Sequence, residues 1–369
     1  MASDAEVLIV GAGIAGLSMA RALTLAGRTV EVIERAAEWS IEGSGLGLYP
    51  NALRALDKLG LADEIRACGH EVRAVRYFDR RGNLLAEITP PWAGLDEPYV
   101  EIRRRALHDV LIEGVDVPIR MGTTVTHLER GSDALVVALS DQTTASYRLV
   151  VGAEGVYSTV RALVAPVGPR YVGQMYWRGL LDQDGGVEDI TAWVARSRFF
   201  GFTPVGDGRT RWFASVAAEN PLDSKEGTYE RLASNFADFR EPLPTILGLI
   251  AAGGDFHFGP AASVDCPRWF AEGVVVVGDA AHALSPVSGQ GAAMAFEDAV
   301  VLAEELGSGS AIADALAAFE RRRRPRIEAL RRVVANRVEM ATGGAPTRPP
   351  GLFPFDPWVD QSSLLATPP

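Results

Sequence analysis

The chain is poor in cysteine, in histidine, in basic residues relative to acidic ones and in long apolar runs, and each shortage removes a class of function. Cys68 and Cys266 are the two cysteines among 369 residues. They allow one disulfide at most, and neither stands in a C-x-x-C or metal-ligand spacing, so the sequence gives no sign of a metal centre or a dithiol redox pair. Two inert thiols point to a reducing, cytoplasmic setting. Lys and Arg number 36 against 47 Asp and Glu, a net charge of −11, so nucleic acid and acidic membrane surfaces are repelled. No apolar stretch approaches the roughly 20 residues of a membrane span. No basic segment precedes the first apolar run, and no secretory signal is expected. Five histidines leave few candidates for a general base.

What is present begins at residues 6–35, EVLIVGAGIAGLSMARALTLAGRTVEVIER. Val7, Leu8, Ile9 and Val10 form a short buried strand. Gly11, Gly13 and Gly16 then fall in G-x-G-x-x-G spacing: the first turns the chain, the second admits a pyrophosphate and the third packs helix on strand. The spacing predicts a helix over 14–25, closed by Gly27, whose N-terminus aims N–H groups and a positive dipole end at phosphate. A second strand over 29–33 delivers Glu34, a carboxylate placed for an adenosine ribose. That suits FAD or NAD and disfavours a 2′-phosphate.

Further along, Gly43, Ser44, Gly45, Leu46 and Gly47 make a run that can lie close against a flat ligand. A helix opens at Pro50, a β-hairpin covers 72–89, and a helix over 104–113 begins within three consecutive arginines, 103–105. Short strands fill 117–148, and a second buried strand enters a glycine turn at Gly152, Ala153, Glu154 and Gly155. Between 165 and 265 the composition shifts to alternating strands rich in aromatics. The chain then returns to a β-branched strand ending in Gly278 and Asp279, followed by Ala280, Ala281 and His282. Helices are expected to about 306, over 310–324 and over 325–340. The arginine run 321–326 reads as a solvated or carboxylate-paired face. An Asp at a strand end beside a helix N-terminus offers an acceptor for a sugar-alcohol hydroxyl and donors for a flavin carbonyl, which favours FAD.

The expected fold is α/β: a Rossmann-like FAD-binding domain (1–72, 98–164, 266–343) with an inserted, mainly antiparallel β substrate domain (73–97, 165–265), C-terminal helices and a Pro-rich tail (344–369). Three motifs in this order resemble the class A flavoprotein monooxygenases: the fingerprint at Gly11, Gly13 and Gly16, the Gly152 to Gly155 turn, and the Gly278-Asp279 turn with Pro286, Gly289 and Gly291. The resemblance implies a cofactor site. Gly11, Gly13, Ile14, Ala15 and Gly16 would approach the pyrophosphate, Glu34 and Arg35 the ribose, and Val125 the adenine. Gly45 and Leu46 would lie along the isoalloxazine, Arg104 would face the cofactor, and Asp279 would meet the ribityl chain. Pro286, Gly289, Gly291, Ala292 and Ala293 would surround the pyrophosphate and ring. Glu154 departs from the family's usual Asp, and the choice between NADPH and NADH as transient co-substrate stays open.

The resemblance also implies an activity: reduced flavin reacts with O₂ to a C4a-hydroperoxide that passes oxygen to an aromatic or polycyclic small molecule. A reductase of the same fold, or a flavin-binding protein without turnover, are the alternatives. Tyr49, Tyr176, Trp177, Arg178 and Arg198 are the substrate-pocket candidates by position. No histidine stands out as catalytic: His282 reads as structural, His257 as a core residue, and His70, His108 and His127 as peripheral. A monomer or homodimer would serve equally.

Overall fold

The computed structural model describes residues 5–39, 43–90, 92, 97–221, 226–253, 256–341 and 367–369. Most of the expected Pro-rich tail, 344–366, lies outside the described residues. Among the described residues the strands form four sheets.

A six-stranded sheet carries the nucleotide fold. Edge to edge it runs Phe270–Ala271, Val274–Val276, Leu149–Gly152, Val7–Val10, Val30–Ile33 and Ile119–Arg120, parallel throughout except for the first pair. Its central strands are buried at every position, as parallel strands covered on both faces must be. Each fully buried aliphatic side chain there contributes roughly 1.5–3 kcal/mol of apolar burial. The helix Ile14–Leu25 covers one face and packs on a long helix, Gly291–Gly307, which also contacts Pro50–Lys58 and Ile312–Ala341.

The second large sheet has seven strands in the order Phe256–Ser263, Arg170–Leu181, Thr210–Ala217, Arg198–Pro204, Ile190–Ala195, Val75–Asp79 and Leu84–Ile88. One pair, Ile190–Ala195 with Val75–Asp79, is parallel; the others are antiparallel. Strand alternation gives this sheet two different faces. One buries Trp177, Phe200, Phe202 and Trp212 against the helices Thr228–Phe236 and Leu243–Gly253. The opposite face looks toward the nucleotide fold. A small sheet of Gly45–Leu48, Tyr99–Arg103 and His70–Val72 stands between the two.

One boundary departs from expectation. The two helices foreseen on either side of Pro325 are a single helix, Ile312–Ala341. Pro325 sits on its exposed side, where the carbonyl it leaves without a donor turns to water, so the helix continues. Among the described residues, no helix is long and apolar enough to cross a membrane.

Candidate active site

A cavity of about 560 Å³ lies where the nucleotide sheet, the small sheet and the seven-stranded sheet meet. At one end it is lined by the glycine loop. Gly11 has φ +102°, a backbone region closed to most L-residues, and a Cβ there would come within 2.8 Å of the Ala153 carbonyl oxygen. Only glycine lets the two loops approach. The Glu34 carboxylate accepts from the Ala12 N–H at 2.8 Å and the Ala36 N–H at 2.9 Å, so its position is fixed while lone pairs remain for a ligand hydroxyl.

Behind this loop stands His108, buried rather than peripheral. Its Nε2 lies 3.0 Å from the Ala12 carbonyl oxygen, and Trp39 packs edge-on against the ring at 5.1 Å. Burial pushes the imidazole pKa down, outweighing the bond to Ala12, so the ring is neutral at pH 7. A carbonyl only accepts, which assigns the proton to Nε2. The Glu154 carboxylate accepts from the Ser158 and Thr159 hydroxyls and the Thr159 and Val160 N–H groups. It is committed to its own turn, although the residue lines the cavity.

Midway, Asp279 is exposed to the cavity. No hydrogen bond from a described protein group reaches its carboxylate. Burial pushes its pKa up, with His282, Arg104 and Arg178 pulling the other way. A carboxylate that faces the cavity without a donor suits a polyol hydroxyl. The turn that presents it is clamped from behind: Asp298 accepts from the Gly278 N–H at 2.9 Å, from His282 Nε2 at 2.7 Å and from Arg323 Nε at 2.8 Å. Glu297 beside it accepts from Arg323 at 2.6 Å, Arg326 at 2.6 Å and Asn51 at 2.9 Å. Asn51 also donates to Gln290 at 3.1 Å, tying in the 289–291 loop. The arginine run is therefore partly buried and carboxylate-paired, with Arg323 fully enclosed.

The far end is the inward face of the seven-stranded sheet. Tyr176 and Arg178 enter the cavity from one strand, Arg211, Phe213 and Ser215 from its neighbour, Phe199 from the next and Tyr77 from Val75–Asp79 of the same sheet, while Tyr99 of the small sheet and Tyr49 line the cavity with them. The Phe199 and Phe213 rings stack at 5.4 Å, and those of Tyr49 and Tyr99 lie 4.9 Å apart. Burial raises the Tyr176 hydroxyl to about 12, so it is a neutral donor.

The FAD binding domain family matches residues 4–334, nearly all of the chain. The chain belongs to the class A FAD-dependent monooxygenases. It is 34% identical to the aurachin C monooxygenase/isomerase of Stigmatella aurantiaca over 87% of this chain and 85% of that protein. It is also 34% identical to the 2-heptyl-3-hydroxy-4(1H)-quinolone synthase of Pseudomonas aeruginosa, over 88% and 87%. Klebsiella pneumoniae HpxO complexed with FAD and uric acid superposes with a TM-score of 0.83 at 25% identity, covering 93% of this chain and 90% of that one. FAD is the cofactor of this monooxygenase, as its sequence led one to expect.

The positions expected to hold FAD fall around the cavity with few exceptions. Gly11, Gly13, Ile14, Ala15, Glu34, Arg35, Gly45, Leu46, Arg104, Asp279, Pro286, Gly289, Gly291 and Ala292 line it. Gly16 and Ala293 lie one layer behind, and the lining includes Thr124 in place of Val125. Of the pocket candidates, Tyr49, Tyr176 and Arg178 line the cavity, but Trp177 and Arg198 do not. Trp177 points to the other face of its strand, where its Nε1 donates to the Thr228 carbonyl at 3.0 Å. Arg198 also points away, pairing with Asp238 at 2.6 Å and lying over Phe239. Each was placed on the wrong side of a period-two strand. His257 is exposed, not a core residue. Sequence reasoning missed Glu101, Phe199, Arg211, Phe213 and Ser215. Antiparallel register was the available signal: Tyr176 faces Ser215 and Arg178 faces Phe213.

Proposed function

We propose that this monooxygenase consumes NADPH or NADH and O₂ and inserts one oxygen atom into an aromatic small molecule held against Tyr176, Phe199 and Phe213. One observation carries the reading: a single cavity runs from Glu34 and Arg35, past Gly11, Asp279 and Gly289, to that aromatic wall. The two relatives' names support it, since one denotes a hydroxylated quinolone ring.

When bound and reduced, FAD supplies the activation of dioxygen. The chain's residues do the rest. Glu34 and Arg35 hold the adenosine ribose, and Asp279 accepts from a ribityl hydroxyl. The helix Gly291–Gly307 turns its N-terminal N–H groups and positive dipole end toward the cavity, where negative charge on a reduced ring is stabilised. Gly45 and Leu46 leave room for a flat ring. The stacked phenylalanines and tyrosines hold the substrate ring and exclude water.

The test is NADPH and NADH oxidation by the FAD-loaded protein, with an oxygen electrode, against a panel of ring compounds. Oxidation stimulated by a particular ring and coupled to oxygen uptake is expected. Rates indifferent to every ring, or equal with and without oxygen, would sink the reading.

A further inference from the structure

One buried side chain stands behind the glycine loop without lining the cavity. His108 belongs to the helix Arg104–Glu113, one turn beyond Arg104, which does line it. Its Nε2 lies 3.0 Å from the Ala12 carbonyl oxygen, and the residue is 7% exposed. Nδ1 is buried with no hydrogen-bond partner among the described residues, so the bond to Ala12 is the ring's one hydrogen bond. A phenylalanine would fill the same space beside Trp39 and leave no polar nitrogen buried. What the imidazole adds to packing is therefore its hold on Ala12.

Ala12 is held at both ends, its N–H by the Glu34 carboxylate at 2.8 Å and its C=O by His108. In a trans peptide the C=O and the N–H that follows it point in opposite directions. Ala12 is 1% exposed and takes no part in the lining, whereas Gly13 lines the cavity. With the Ala12 carbonyl drawn back to His108, the Gly13 N–H is turned the other way, toward the side where the resemblance puts the pyrophosphate. Little else keeps the peptide in that orientation: a Cβ at Gly13 would meet nothing within 4 Å, and glycine turns more freely than any other residue. A rotated peptide would present a carbonyl oxygen to an anion and withdraw a donor from it.

We propose that His108 is a positioning residue of the cofactor site: its Nε2–H latches the Ala12 carbonyl so that the Gly13 N–H donates to the FAD pyrophosphate. This role rests on the placing of the adenosine end at Glu34 and of the pyrophosphate at the glycine loop, and it holds for whichever ring is oxygenated. His108 acts through the loop and does not touch the cofactor.

The test follows release of FAD from the FAD-loaded protein by flavin fluorescence, first on dilution and then against added ADP, which carries the adenosine and pyrophosphate without the flavin. His108→Phe keeps a ring but no donor, and should raise the FAD dissociation constant and the ADP inhibition constant by the same factor, about tenfold. His108→Gln places an amide nitrogen where the imidazole Nε2 stood, and should stay within about threefold of wild type for both ligands. Packing alone would give the opposite order, since Phe preserves the ring and Gln does not. Where His108→Phe fails to fold, His108→Asn replaces it: its amide nitrogen stands at the Nδ1 position, short of Ala12, and should weaken both ligands as Phe would. A His108→Phe protein that holds FAD and ADP as tightly as wild type overturns the proposal, as does a His108→Gln protein that loses them as readily as the Phe variant. ADP that fails to displace FAD from the wild type overturns the placing of the cofactor and the latch with it, whereas the variant results bear on the latch alone.

Discussion

Replacing Arg323 by Met removes the cation at the centre of the buried cluster that clamps the Gly278-Asp279 turn. Arg323 is 0% exposed and bridges Glu297 and Asp298. Burial by itself would raise the Asp298 pKa, but the charges and hydrogen bonds of His282 and Arg323 outweigh it and hold it at about 2. An unfolded Asp titrates near 3.9, so the depressed folded value corresponds to roughly 2–3 kcal/mol of stability at neutral pH. That contribution is complete above the unfolded pKa and disappears as pH falls from about 4 through about 2. Breaking a buried pair costs about 3–5 kcal/mol in general. Here both carboxylates keep other partners, Glu297 with Arg326 and Asn51 and Asp298 with His282 and the Gly278 N–H. The lower end of that range, about 3 kcal/mol, is therefore expected for Arg323→Met. Urea unfolding at pH 7 should show it, and the gap to wild type should narrow below pH 4 as Asp298 protonates. A loss under about 1 kcal/mol at pH 7, or a gap that does not depend on pH, would refute the reasoning.

Asp279→Ala should weaken FAD binding by about 1–3 kcal/mol, because a buried ribityl hydroxyl loses its acceptor; a flavin titration with unchanged affinity would remove Asp279 from the cofactor. Glu34→Ala should lower the flavin content of the purified protein while far-ultraviolet circular dichroism stays at the wild-type level, since it loses the ribose acceptor and the ties to Ala12 and Ala36; full flavin content would count against the ribose role. Arg198→Ala should leave the affinity for ring compounds unchanged because the side chain points to the opposite face, whereas Phe213→Ala should weaken it by about tenfold or more; equal effects of the two would contradict the strand alternation.

The motifs that build the nucleotide end were legible because each is local. Gly11, Gly13 and Gly16 with Glu34, and Gly278 with Asp279, are strand ends followed by helix starts, and a few residues determine what such a turn can hold. The inward face of the seven-stranded sheet was not legible in the same way. Trp177 and Arg198 look like pocket residues in a linear reading, but a strand sends alternate side chains to opposite faces, and nothing local says which face meets the ligand. The buried clamp was also hidden, since Asn51 lies 246 residues from Glu297. The arginine run reads as a solvated or carboxylate-paired face, and only the partners that bury Arg323 decide for the second. Pro325 misled for a related reason: it breaks a helix in a buried setting and is tolerated where the freed carbonyl meets water.

The central claim is oxygen transfer to a ring by a flavin held in this cavity, and one measurement tests it most directly. FAD-loaded protein, a nicotinamide and the aromatic ring compound that most stimulates nicotinamide oxidation are incubated under isotope-labelled dioxygen, and the product is weighed by mass spectrometry. A product carrying one labelled oxygen atom, formed in step with nicotinamide oxidation, is the expected result. Turnover that proceeds without oxygen and yields a product heavier by two hydrogens would contradict the account and establish a reductase.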